Sequence, residues 1–224
     1  MSFLLFLLNQ KVEFMIREFI NYHFKENKNK YLFFLFVFIL GIAIGGVTIY
    51  FLSSEQIEEL VNYINSFFSL LTKDTSTINS KEIFTSTLLR DAKIYVFLWI
   101  LGLSVLSLIY SISIVFYNGF LLGFTNTFFI YKFGLKGILF ALAVLIVQNL
   151  IKTAALLFAS VTASSFKYII QKNNKSRYKQ VNNSAFYIRY TIYIVMAFLL
   201  NVLGIYIESY VVPMFIVIFS SAFL

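Results

Sequence analysis

The sequence predicts an all-α protein: a polytopic transmembrane helical bundle with about five crossings and one extracytoplasmic helical loop. Two observations carry this. From Ile94 to Tyr131 run 38 residues without a single charge. A lipid-exposed backbone must satisfy its own hydrogen bonds, so that stretch should be helical, and it exceeds the roughly 20 residues of one crossing. The whole chain agrees: it is 60% hydrophobic and 12% charged, with a mean hydropathy of +0.83, against about 25% charged residues in soluble domains.

The elements follow in order. Residues 1–30 form a cytoplasmic amphipathic segment. Its apolar start, Ser2 to Leu8, lacks the basic region of a signal peptide. Met15 is a second candidate start, which would make residues 1–14 an extension. From Lys11 to Lys30, Phe14, Ile16, Phe19, Ile20 and Phe24 interleave with charges, as in a helix lying at an interface. Residues 31–224 form one integral membrane domain. Its first crossing, Tyr31 to Leu52, contains Gly41 and Gly45, a small-xxx-small pair that admits close helix approach.

The loop 53–93 follows. Ser53 and Gln56 fit a capping box. Ile57, Leu60, Val61, Ile64, Phe67 and Phe68 then recur at helical spacing, with Glu55, Glu58, Glu59, Asn62 and Asn65 opposite. The apolar stripe is the expected partner surface, unless it packs on its own bundle or on the membrane. Asn79 with Glu82 caps a further helix. The second crossing is expected at Ile94 to Tyr117 and the third from Gly119 to Tyr131. Lys132 to Lys136 form a turn, and the fourth crossing runs from Gly137 to about Ser160. Residues 167–189 carry six Lys or Arg and no acid, a basic cytoplasmic connector. Tyr190 onward is apolar, broken by Glu208 and Pro213, and residues 209–224 either finish the fifth crossing, lie in the interface or form a sixth.

Orientation follows from the basic residues. An N-terminus inside places eleven Lys or Arg in cytoplasmic segments against six outside, which fits a multi-pass cell-membrane protein with a cytoplasmic N-terminus. The net charge of +8 is explained the same way and not by nucleic acid. The absence of cysteine excludes disulfides, thiolate metal sites and a cysteine nucleophile.

Polar groups inside the bilayer are costly and mark candidate sites. Here they are Asn118, Gln148, Asn149, Lys152, Asn201 and Glu208. Two geometries compete. A simple crossing from Gly137 buries Lys152 about 22 Å deep, too far from Glu208 to pair. If 137–147 instead dips in and returns, the crossing starts near Asn149 and an ion pair between Lys152 and Glu208 becomes feasible, as at the broken helices of transporters. The plainer role for the amides is interhelical glue, about 0.6 kcal/mol each. No zinc pattern, nucleophile elbow or phosphate loop occurs, and His23, the only histidine, lies in the N-terminal segment. No enzyme, cofactor or metal is expected.

Tyr117-Asn118-Gly119 with Gly123, Gln148-Asn149-Leu150, and Glu208 followed by Pro213 occur in the order seen in the stage II sporulation protein M family, which the chain resembles from about Phe14 to Pro213. Gly119 and Gly123 are helix-packing positions in this reading. Val147 departs from the family's usual proline before Gln-Asn. The resemblance implies a non-enzymatic membrane anchor for peptidoglycan-remodelling partners, stage II sporulation proteins D and P, at the septum during forespore engulfment. The alternative is a permease-like or channel-like subunit with Gln148, Asn149 and Lys152 along a polar path. Membrane lipid is the expected solvent, and a homo-oligomer is left open.

Overall fold

The computed structural model describes residues 23–73, 79–142, 147–175 and 183–213. They form a helical bundle. After one turn at residues 23–26, α1 spans Lys28–Thr48 and ends in a tight turn, Ile49–Phe51. Then come α2 (Ser54–Lys73), α3 (Ser80–Leu101), α4 (Ser107–Phe140), α5 (Val147–Lys175) and α6 (Asn183–Tyr206). A π-helical turn, Ile207–Val211, extends α6.

Five of these helices traverse the bundle. Four of them are long and apolar enough to cross a membrane: Lys28–Phe51, Ser107–Phe140, Asn149–Phe166 and Phe186–Val211. The fifth, α3, runs beside α6 from end to end. Asp91 pairs with Asn201, and two turns on Leu98 meets Tyr190, so the two helices are antiparallel. The start of α1 lies at one end, with the close of α3 and α5. The opposite end holds α2 and the close of α1 and α6.

α1 and α4 pack in parallel through glycine. Phe38 faces Gly119, Ile42 faces Gly123, and a side chain on Gly41 would lie 2.5 Å from the Phe116 carbonyl oxygen. Gly45 meets the Phe120 backbone in the same way. With no hydrophobic force between helices in lipid, such backbone-to-backbone dispersion holds them together. Around this seam Phe34, Val37 and Val115 join Leu98, Ala155, Ala159 and Ala197 in the main core.

Three expectations need correction. The break between the second and third crossings falls at residues 102–106, not at Asn118. α3 begins at Ser80, as the Asn79–Glu82 cap predicts: the Asn79 side chain accepts from the Glu82 amide at 3.3 Å, and Arg90, Asp91 and Lys93 belong to the same continuous helix as Ile94 to Leu101. Asn118 stays helical because its Nδ2 donates to the Ile114 carbonyl at 2.9 Å and because Gly119 is needed against α1. Next, the crossing expected from Gly137 starts at Val147. Gly134, with φ of 56°, turns the chain, and Phe140 folds back to 4.5 Å from the Phe129 ring. A separate helix therefore begins at Val147, and Lys152 meets Glu208, the pairing that the second geometry allows. Finally, the stripe on α2 is not a free partner surface. Val61 is buried, and Ile57, Leu60 and Ile64 pack with Ile49, Phe128, Phe140 and Val212. The side chains of Phe67 and Phe68 lie outside the described residues, as do residues 1–22 and 214–224.

Candidate functional site

α3, α4, α5 and α6 enclose a polar cavity of about 270 Å³ toward the α2 end of the bundle. Its floor is an ion network. Lys152 Nζ lies 2.7 Å from Glu208 Oε2 and 3.1 Å from Asp91 Oδ2. Asn201 Nδ2 donates to the same Asp91 oxygen at 3.1 Å, and Arg90 Nε reaches Asp91 Oδ1 at 3.1 Å.

Each member is placed by local structure. On α3, Thr87, Asp91, Tyr95 and Leu98 form the buried face at helical spacing. On α6, Gly204 lets the Lys152 stem lie against the backbone: a Cβ there would come within 2.5 Å of Lys152 Cγ. The following π-turn carries Glu208. Such turns shift the helical register and often occur at functional sites.

The cavity gathers five of the six intramembrane residues singled out in the sequence. Asn118, Asn149, Lys152, Asn201 and Glu208 all line it. Gln148 sits in the first turn of α5, with its side chain outside the described residues. Gly41, Gly45, Gly119 and Gly123 lie apart from it, in the α1–α4 seam. The residues that reading missed are Asp91, Tyr95 and Gly204. Asp91 is only 6% exposed. It was hidden because Arg90-Asp91-Lys93 resembles a solvated loop edge; counting turns from the Asn79 cap would have placed it on a buried face.

Partly buried paired charges gain their stability from one another. Desolvation of each is offset only while the partners stay in place. Two polar atoms in the cavity lack partners, the Tyr95 hydroxyl and Asn126 Oδ1.

A second polar cluster closes the opposite end. Ser165 Oγ donates to Asn27 Oδ1 at 2.9 Å and accepts from Lys30 Nζ at 2.8 Å. His23 lies 3.4 Å from Thr162 Oγ1 and is packed among Phe158, Tyr31 and Tyr193. Burial first, and then the Lys30 charge, lower its pKa from 6.5 to about 4. The amphipathic pattern of residues 1–30 alone does not reveal these contacts of His23.

The family model for stage II sporulation protein M matches residues 33–213. That range runs from the second turn of α1 through the π-turn and includes every charge of the cavity. No curated protein and no solved structure gives a significant match.

Proposed function

The chain belongs to the stage II sporulation protein M family, and on that premise we propose that it is a non-enzymatic membrane anchor for peptidoglycan-remodelling partners in spore engulfment. The observation that carries this reading is the way α2 is held. Val61, with Ile57, Leu60 and Ile64, packs against the bundle, and Glu55, Glu58, Glu59, Asn62 and Asn65 stand exposed on the opposite face. A helix seated on its apolar side in this way presents a polar face outward. In the orientation set by the basic residues, with the N-terminus cytoplasmic, that face is turned to the wall. Stage II sporulation proteins D and P are the partners.

The interior supports an anchor as well. Each charge lining the cavity is paired with another, which locks three helices together. The test is co-purification of the two partners from sporulating cells. Replacing Glu55, Glu58 and Glu59 by lysine should abolish recovery of the partners while the protein still reaches the membrane. Undiminished recovery would overturn this role for the polar face.

The cavity favours a second reading, a permease-like subunit that passes a small polar solute. Making Asn149 and Asn118 apolar separates the two: an anchor keeps partner recovery, whereas a permease loses flux across proteoliposomes.

A further inference from the structure

The charges of the cavity form a row of alternating sign. Arg90 meets Asp91, Asp91 meets Lys152, and Lys152 meets Glu208. The two middle members have an opposite charge on either side. The end members do not. Arg90 touches Asp91 only through Nε, so its terminal nitrogens have no acceptor among the described residues. Glu208 accepts through Oε2, and its Oε1 has no donor among them. No ion pair joins Arg90 to Glu208 within the described residues. The ends are also the more accessible members. Side-chain exposure is 63% for Arg90 and 23% for Glu208, against 8% for Asp91 and 16% for Lys152.

Both ends line the cavity, together with Asn118 and Thr125. Asn118 uses its Nδ2 on the Ile114 carbonyl, which leaves Oδ1 as an acceptor. The volume of about 270 Å³ holds about nine waters at roughly 30 Å³ each. That is room for an amino acid or a dipeptide and not for a polymer. Access is from water. Five of the six exposed side chains at positions 81–90 of α3 are polar, and α3 is not among the helices apolar enough to cross a membrane.

Charge balance restricts the occupant. Two cations and two anions leave the lining neutral. A simple anion would satisfy Arg90 but add an unbalanced charge to a partly desolvated site, and a simple cation at Glu208 would do the same with opposite sign. A molecule carrying one charge of each kind answers both open ends and keeps the sum at zero. The guanidinium fork suits a carboxylate, and the oxygens of Glu208 and Asn118 suit an ammonium, which only donates.

We propose that the cavity binds a small zwitterion, an amino acid or dipeptide, with its carboxylate on Arg90 and its ammonium on Glu208. The inference concerns binding alone, so it stands whether the protein anchors partners or passes the solute.

The test is calorimetric titration of the full-length protein in detergent with four probes. Alanine and dialanine are zwitterions, N-acetyl-dialanine lacks the ammonium, and dialanine amide lacks the carboxylate. At least one zwitterion should bind, and each blocked form should bind about tenfold more weakly or worse, the value of a charge-assisted hydrogen bond. Arg90→Gln should lose a similar factor toward the zwitterion. Lys93→Gln, on the same helix but outside the cavity lining, should keep the parent affinity. Thermal unfolding reports whether each variant is folded, and the blocked probes on the parent protein decide the matter if Arg90→Gln is not. No heat from either zwitterion, or unchanged affinity in Arg90→Gln, would overturn the proposal. So would a blocked form that binds as tightly as free dialanine, which would mark a plain anion or cation site. An equal loss in Lys93→Gln would mark a general charge effect and would equally overturn it.

Discussion

Lys152 on α5 holds two carboxylates from two other helices, Glu208 at 2.7 Å and Asp91 at 3.1 Å. One ammonium thus fixes α3, α5 and α6 against each other in a place where none of the three charges is fully hydrated.

Removing that ammonium should be costly. Lys152→Met keeps most of the stem's volume but leaves Glu208 without its cation and Asp91 with only Arg90 and Asn201. The expected loss is about 3 to 5 kcal/mol, the usual penalty for breaking a buried pair from one side. Adding Asp91→Asn and Glu208→Gln to the same variant should recover most of it, because no buried charge remains. Denaturant unfolding in mixed micelles checks both. A single variant as stable as the parent would mean that water already solvates the site.

The α1–α4 seam makes an independent prediction. Gly123 faces the Ile42 backbone and Gly119 the Phe38 backbone, so a methyl group has no flexible neighbour to displace. Gly123→Ala should destabilise by about 1 to 3 kcal/mol, as overpacking does. Gly134→Ala differs in kind: nothing lies within 4 Å of its missing side chain, and its cost is only the positive φ. Comparing the two by thermal unfolding separates contact from conformation.

Much of this arrangement was legible in sequence where lipid imposes a strict rule. Uninterrupted apolar runs gave helices, and Gly41, Gly45, Gly119 and Gly123 stand out as small residues at one-turn spacing. What escaped had competing local signals. Asn118-Gly119 has the composition of a turn, yet it stays helical because its contacts with α1 outweigh local preference. The true break, residues 102–106, contains Gly102 and Ser104, and the Ser104 hydroxyl accepts from the Leu106 amide at 3.0 Å. Asp91 reads locally as a charge beside Arg90, because its partners on other helices lie 61 and 110 positions away, a separation no local pattern reports. The fate of the α2 stripe was equally undecidable from periodicity, since an amphipathic helix looks the same whether its apolar face meets a partner, lipid or its own bundle.

His23 makes stability depend on pH in the acid range. Its folded pKa is about 4, below the ordinary 6.5, chiefly through burial and secondly through Lys30. The unfolded chain therefore binds the proton first as pH falls. Stability contributed by the neutral ring is complete above about pH 6.5 and declines from there to about pH 4, by at most about 3 kcal/mol. Carboxylates titrate near the lower limit, so the measurement is a difference: the unfolding temperature of the parent should fall more steeply over this window than that of His23→Gln. Parallel curves would show that the ring is already solvated in the folded protein.

The end of α3 offers the finest test of packing against hydrogen bonding. The Tyr190 hydroxyl lies 2.8 Å from the carbonyl oxygens of both Leu98 and Trp99 and shares its one hydrogen between them. The Leu98 carbonyl has a second donor, the Gly102 amide at 2.9 Å, so Trp99 is the carbonyl that depends on the tyrosine. Tyr190→Phe should then cost about 1 kcal/mol, the net value of one such bond. Gly102 exists in this turn because a side chain there would occupy the hydroxyl's place. Gly102→Ala should therefore be worse in the parent than in Tyr190→Phe, where the hydroxyl contact is gone and only the ring's Cζ, 2.7 Å from the new methyl, must shift. A double-mutant cycle by denaturant unfolding should give a coupling of about 0.5 kcal/mol or more; additive losses would mean that glycine serves the turn's backbone and not the tyrosine.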